Sequence, residues 1–285
     1  MAAFVTSSAG IRVPAILYGT AWKKDDSARL VALALQAGFR GLDTACQPKH
    51  YNEAGVGAGV AASLNPALAR SDLYLQTKFT SVSGQDPARI PYDPKASLGA
   101  QLGQSIAVSM LNLQTDYLDC LLLHSPLPST AQTLEAWQAI ESMIDTRKIR
   151  QAGISNCYVL ETLEHLHRTA RWKPAVVQNR FHAQTGYDRE IRAFCRHHDI
   201  VYQSFWTLTA NPDILGHTTV TALASAYSRT PAQILFRYLT QVGVVPLTGT
   251  RSEAHLREDL SIFEFELAPA ERRAMDAILA GPRRG

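Results

Sequence analysis

Four side chains able to exchange protons sit at or near the ends of short apolar runs in the first half of the chain: Asp43, Tyr51, Lys78 and His124. Asp43 closes GLD, Lys78 closes LYLQTK and His124 closes YLDCLLLH, while Tyr51 follows Asp43 after the stretch TACQPKH. An ionisable group ending an apolar run is costly unless it is paired or used. Taken singly, each has an ordinary explanation: Asp43 can cap or anchor a loop, Lys78 can sit in solvent, and His124 can satisfy backbone groups. Taken together they make a proton-transfer set. A free tyrosine, with a pKa of ~10, is a poor acid at neutral pH. A nearby lysine cation is expected to lower that value, and an aspartate would hold the lysine charged and fixed. The histidine would orient a substrate oxygen or share the proton. Such a tyrosine could protonate an oxygen that gains negative charge as a hydride reaches its carbon.

That chemistry requires a scaffold bringing the ends of separate runs to one rim. Eight short β-prone runs recur along the chain, AILYGTA, GLDTA, LYLQTKF, YLDCLLLH, IRQAGIS, AVVQNRF, IVYQSFW and VVPLTGT. Amphipathic segments separate them. DDSARLVALALQAG puts Leu30, Leu33, Ala34 and Ala37 on one face and stops at Gly38. TLEAWQAIESMIDTRK steps through Leu134, Trp137, Ile140 and Ile144, and SRTPAQILFRYLTQVG opens on a Thr230 cap with Pro231 in the first turn. Strands alternating with helices imply parallel pairing, because each parallel connection needs a long crossover. Eight such units predict an α/β fold, a closed (β/α)8 TIM barrel forming a single domain over residues 1–285, with an open doubly wound sheet as the competing architecture. The tail ELAPAERRAMDAILAGPRRG adds one extra C-terminal helix. In a barrel, the C-terminal strand ends converge on one mouth. This adds Gly19, Thr20, Ser155, Asn156, Gln178, Gln203 and Ser204 to the candidate site residues.

Composition narrows the function. The 285 residues are 46% hydrophobic and 19% charged, and 28 basic against 25 acidic residues leave a net charge of +3. That excess is too slight and too interspersed for a nucleic-acid partner. Cys46, Cys120, Cys157 and Cys195 lie far apart without a C-x-x-C pair, which predicts free thiols and a cytoplasmic protein. The opening MAAFVTSSAGIRVP does not read as a signal peptide, and no apolar run reaches the ~20 residues of a membrane-spanning helix. EAGVGAGVAASL resembles a dinucleotide-binding glycine loop, but Val60 stands where G-x-G-x-x-G needs its last glycine and no strand precedes it. A Gly/Ala-rich helix packed close to a neighbour is the expectation. The histidines of HLH (165–167) and HHD (197–199) fall on helices away from the mouth, so no metal site is expected.

The blocks YGTAW, GFRGLDTA, YNEAGVG, TKF, LDCLLLHSP, GISN and VVQNRFH, in this order across nearly the whole chain, resemble the aldo-keto reductase family. The resemblance implies a (β/α)8 barrel that binds NADPH without a Rossmann domain and reduces aldehydes or ketones, usually as a monomer. It implies a small-molecule carbonyl substrate and NADPH in preference to NADH. It makes Asp43, Tyr51, Lys78 and His124 a catalytic tetrad with Tyr51 as proton donor, and places Ser155, Asn156 and Gln178 on the nicotinamide carboxamide. Three departures stand out. The gap between Asp43 and Tyr51 is longer than usual, and the adjacent His50 reads as a surface-loop residue. Where the family often stacks a tyrosine on the nicotinamide, this chain has Gln203 within QSFW, so Phe205 or Trp206 would supply the ring. Leu247 stands where a lysine commonly grips the adenosine 2′-phosphate. The loop Thr248, Gly249, Thr250 and Arg251, running into a helix, offers amides and a guanidinium for that phosphate instead.

Trp22, Phe79 and Trp206 are candidate walls of the substrate pocket, and the long loop SVSGQDPARIPYDP is expected to line part of the cleft. Two other functions stay open at this level. One is a barrel lyase or aldolase with Lys78 as Schiff-base nucleophile. The other is a cofactor-binding regulatory subunit with little turnover.

Overall fold

All eight apolar runs form strands. The structure, a computed structural model, describes residues 3–280. A hairpin comes first, β1 (Phe4–Thr6) paired antiparallel with β2 (Arg12–Pro14). The barrel strands are β3 (Leu17–Gly19), β4 (Gly41–Asp43), β5 (Tyr74–Phe79), β6 (Cys120–Leu123), β7 (Ala152–Ser155), β8 (Val176–Arg180), β9 (Val201–Phe205) and β10 (Val244–Thr248). They pair in parallel in chain order, and β10 returns to β3 to close the ring. Crossovers are made by α1 (Ser27–Ala37), α2 (Glu53–Ser63), α3 (Leu98–Leu113), α4 (Thr130–Asp145), α5 (Leu160–Thr169) and α6 (Arg189–His197). Three helices follow β9: α7 (Pro212–Leu215), α8 (Thr218–Tyr227) and α9 (Pro231–Gln241). After β10 come α10 (Glu253–Leu260) and the extra C-terminal helix α11 (Pro269–Ala280).

The helix boundaries follow their end signals. Gly38 stops α1 with φ of 119°, a left-handed conformation that suits glycine. Thr230 and Gln233 form a reciprocal capping box around the start of α9, with Pro231 in its first turn. The glycine-rich segment is a helix, α2, and its small residues serve close packing. A Cβ at Gly57 would lie 2.0 Å from the Asn112 carbonyl oxygen on α3, and one at Gly59 would lie 2.5 Å from the Ala28 carbonyl on α1.

Two apolar layers hold the ring. Outside it, Leu42, Leu75, Leu121, Leu123, Ile154 and Val177 pack against helix residues such as Leu30, Leu102 and Trp137. Inside it, Leu17, Tyr74, Cys120, Leu122, Val176, Val201 and Val245 form a plug with Val13 of the hairpin. The hairpin therefore seals the N-terminal end of the barrel, a feature the sequence reading did not anticipate. The four cysteines are free and buried, as their spacing suggested. No helix among the described residues is long and apolar enough to cross a membrane.

Candidate active site at the barrel mouth

Alternation along each strand decides which side chains reach the barrel interior. In β5, Tyr74, Gln76 and Lys78 face inward, while Leu75 and Phe79 join the layer under the helices. The same period brings Asp43 of β4, Gln178 of β8 and Gln203 of β9 to one level, just above the apolar plug. Lys78 Nζ donates to Asp43 Oδ2 at 2.6 Å and to the Thr44 carbonyl at 2.8 Å. Asp43 Oδ1 accepts from Gln76 Nε2 at 2.7 Å and from Gln178 Nε2 at 2.9 Å. The carboxylate is thus fully engaged, as a buried charge must be. Lys78 Nζ lies 5.3 Å from the Tyr51 ring centroid, and the Tyr51 and His124 rings meet edge to face with centroids 6.2 Å apart. The structure therefore gathers Asp43, Tyr51, Lys78 and His124 into one cluster.

The electrostatics of the cluster follow from burial and charge. For Lys78, burial pulls the pKa down, but Asp43 and then Tyr51 more than offset it, so the ammonium ends above its ordinary value. For Tyr51, burial raises the phenol above the ordinary tyrosine value, while Lys78 acts in the opposite direction. This corrects the expectation of a net lowering: the ammonium opposes the burial of the phenol without overcoming it. The His124 imidazole is pushed down to about 3 by burial, then by the Lys78 ammonium and the neighbouring His50, which keeps it neutral at physiological pH. Its Nδ1 lies 2.5 Å from Thr80 Oγ1.

Below the cluster runs a polar column. Gln203 Oε1 accepts from the amides of Gln76 and Gln178, and Gln203 Nε2 donates to Gln76 Oε1. Tyr74 OH also donates to Gln76 Oε1, Gln151 Nε2 donates to Tyr74 OH, and Ser7 Oγ of the hairpin turn donates to Gln151 Oε1. Side-chain hydrogen bonds thus run from the barrel floor to Asp43.

Around the rim, Trp22 is 51% exposed and Trp206 48%. Both tryptophans, and Asn156, have positive φ, at 62°, 55° and 51°. Non-glycine residues in this conformation gather where surrounding structure imposes them, often at functional sites. His50, in the loop before Tyr51, stacks on Trp22 with centroids 4.0 Å apart. The Arg180 guanidinium covers Trp206 at 4.0 Å. Phe205 is half-buried beside Arg180, its register partner on β8.

At the joint of β3 and β10, Gly19 lies against the loop after β10. A Cβ on Gly19 would be 3.4 Å from the Thr248 carbonyl, and one on Gly249 would be 3.6 Å from Lys23 Nζ. Buried Lys23 donates to the Gly249 carbonyl, and Arg251 reaches back to the Trp22 carbonyl at 2.6 Å. Burial, then Arg251, brings Lys23 down to about 8. Two cations therefore share this joint, with Asp26 the nearby acid.

Several expected site residues sit differently from the sequence reading. Phe79 faces outward and packs on Tyr92, so it is no pocket wall. Ser204 also faces away from the mouth and bonds Thr207. Gln203 is fully buried beneath the cluster, with its carbonyl taken by two amides. The Thr248 hydroxyl donates to Asp259 Oδ2 at 2.6 Å, so only its backbone belongs to the loop. In each case strand parity or depth overrides proximity in sequence. Thr20 and Ser155 brace the strands by donating to the Asp43 and Gln178 carbonyls. Asn156 donates to the His124 carbonyl and accepts from Tyr158. Gln178 uses both amide hydrogens inside the barrel and leaves Oε1 without a donor among the described residues. The loop after β5 contributes Gln85 and Tyr92, which both donate to the Thr80 carbonyl.

Sequence reasoning missed Lys23, Gln76 and Thr80. Lys23 follows Trp22 directly, and Gln76 precedes Lys78 by two residues in a strand, so parity alone could have flagged Gln76. A cavity of ≈ 560 Å³ lies at the opposite end of the barrel, lined by residues including Arg12, Arg40, Tyr74 and Arg150, and touches none of the four clustered residues. A smaller one, ≈ 40 Å³, borders Tyr51, Cys46 and Glu53.

Comparison with known proteins agrees with this fold. The family model described as the aldo/keto reductase family matches residues 15–211. An aldo-keto reductase of Mycobacterium tuberculosis is 31% identical over 272 residues, covering 95% of this chain and 89% of that protein. A glyoxal reductase of Bacillus subtilis is 29% identical over 262 residues, 92% of this chain and 86% of its own length. The crystal structure of an aldo/keto reductase from Brucella melitensis superposes with a TM-score of 0.82 at 26% identity, covering 96% of this chain and 98% of that one.

Proposed function

This chain belongs to the aldo/keto reductase family, and from that premise we propose that it is an NADPH-dependent reductase of aldehydes or ketones with Tyr51 as the proton donor. One observation carries the reading. A charged lysine, locked on a buried aspartate at 2.6 Å, stands beside the one tyrosine in the cluster, with a neutral histidine across from it. When bound, the nicotinamide supplies the hydride that adds to the carbonyl carbon. The protein's part is to protonate the oxygen. Tyr51 OH gives its proton as negative charge builds on that oxygen, and the Lys78 ammonium stabilises the phenolate left behind. Asp43 keeps Lys78 charged and in place, and the His124 ring borders the position of the substrate oxygen.

The residues present suit the cofactor. Gln178 Oε1, without a donor among the described residues, can accept from a carboxamide N–H. Phe205 offers a half-buried ring for the nicotinamide in place of Gln203. Lys23 and Arg251, with the amides of Gly249 and Thr250, form a cationic joint suited to phosphate, which favours NADPH over NADH. Trp22 and Trp206 are the pocket walls, and the substrate is a small carbonyl compound. The barrel and its C-terminal helix act as one domain, and the protein works as a monomer. Schiff-base chemistry at Lys78 is disfavoured, because that role needs an amine with a lowered pKa and this one is raised.

The test is Tyr51→Phe. Turnover of a broad aldehyde panel, followed by NADPH absorbance, should fall by about 10²–10⁴-fold, with NADPH affinity by fluorescence quenching within about twofold. Wild-type rates in this variant would remove Tyr51 from its role.

A further inference from the structure

We propose that Thr80 is a positioning residue that holds His124 in the tautomer bearing its proton on Nε2, so that the imidazole donates toward the substrate oxygen. This rests on the function proposed above, in which His124 borders that oxygen.

A neutral imidazole carries one N–H, and which nitrogen holds it is set by the partner of the other. Thr80 Oγ1 lies 2.5 Å from Nδ1, and the imidazole is the only acceptor in reach of that hydroxyl among the described residues. Thr80 is buried, with 4% of its surface exposed. If Nδ1 carried the proton and donated it, the hydroxyl hydrogen would be left inside the protein without an acceptor, which is unfavourable. The arrangement that satisfies both groups has Oγ1–H donating to Nδ1 and the ring proton on Nε2. Nε2 itself has no partner among the described residues.

The hydroxyl's direction is fixed by three contacts. The Thr80 carbonyl accepts from Tyr92 OH at 2.6 Å and from Gln85 Nε2 at 3.2 Å, which pins the backbone at the end of β5. The Thr80 methyl Cγ2 fills the space above Gly84, where even a Cβ would approach it to 2.7 Å. A methyl seated this way restricts χ1 of the β-branched side chain. On the other strand, His124 N donates to the Phe79 carbonyl at 2.9 Å, and Asn156 Nδ2 donates to the His124 carbonyl at 2.9 Å. Donor and ring are therefore held from both sides.

Thr80→Val replaces the hydroxyl by a methyl of similar size, and Thr80→Ser keeps the hydroxyl. Long-range ¹H–¹⁵N NMR of the imidazole nitrogens should place the proton of wild-type His124 on Nε2. In Thr80→Val the two nitrogens should shift toward a tautomer mixture. With NADPH and an aldehyde, Thr80→Val should lower kcat by about tenfold or more, leave the KM for NADPH within about twofold, and Thr80→Ser should recover most of the loss. The proposal is overturned if wild-type His124 carries its proton on Nδ1, or if Thr80→Val changes neither the nitrogen signature nor kcat. The NMR arm is independent of turnover, so it still decides the proposal if the protein reduces no carbonyl compound. A Thr80→Val that fails to fold leaves Thr80→Ser and the wild-type spectrum to decide it.

Discussion

Replacing Lys78 with methionine keeps much of the buried length of the side chain and removes the ammonium. In the wild type, that ammonium is the side-chain partner of Asp43 Oδ2, and the two side chains are 1% and 4% exposed. Breaking a buried ion pair by deleting one partner destabilises by ~3–5 kcal/mol, because the remaining charge has neither water nor a counter-ion. Here Asp43 Oδ1 still accepts from Gln76 and Gln178, so the loss should sit near the lower end, at about 3 kcal/mol. The pH dependence has a defined sign. Without Lys78, Asp43 is a buried carboxylate with no counter-ion, and burial of an unpaired charge favours the neutral acid. Binding a proton then offsets part of the loss at low pH and none of it at high pH. The deficit of Lys78→Met relative to wild type, measured by urea unfolding, should therefore be smaller near pH 5 than near pH 7.5. Asp43→Asn/Lys78→Met, which buries no charge, should recover part of the loss at pH 7.5. An equal deficit at both pH values, or a double variant no more stable than Lys78→Met, would refute a buried charge as the cause.

Three further outcomes can be checked on the same protein. Gly57→Ala should destabilise by about 1–3 kcal/mol, because the new Cβ meets the Asn112 carbonyl and cannot move it; Gly103→Ala, with nothing within 4 Å of its Cβ, should be neutral or stabilising in the same melts. Burial raises Asp259 to about 6, so its contribution is present below the unfolded carboxylate pKa and is lost as pH rises through about 6. Asp259→Asn, which keeps an acceptor for Thr248, should therefore gain stability over wild type near pH 8 and not near pH 5. Arg251→Gln should raise the KM for NADPH by about tenfold and leave that for NADH within about twofold, because only NADPH carries the 2′-phosphate; equal effects on both cofactors would place Arg251 elsewhere.

The eight strands, the helices α1, α2, α4, α9 and α11 and the three tetrad strand ends were legible because local signals repeat: short apolar runs, capped amphipathic segments, a polar residue at each run's end. Tyr51 was found from its neighbours YNE rather than from any period. The N-terminal hairpin was not legible, since its strands are three residues each and its pairing is long-range. Phe79 and Ser204 were misplaced because inward or outward facing is a matter of parity within the closed ring. Gln203 was misplaced because depth along the barrel axis is set by the stagger of neighbouring strands.

The amino-acid sequence by itself determined the alternation of strands and helices and put an acid, a lysine and a histidine at successive strand ends, since periodicity and end signals act within a few residues. The tertiary structure decided the protonation balance and the partners. Only closure of the barrel buries Asp43 against Lys78, raises the Tyr51 phenol instead of lowering it, and brings Thr80 to His124 and Lys23 to Gly249. Burial and distance across the ring set these energies, and both arise only when residues far apart in the chain share one dry interior.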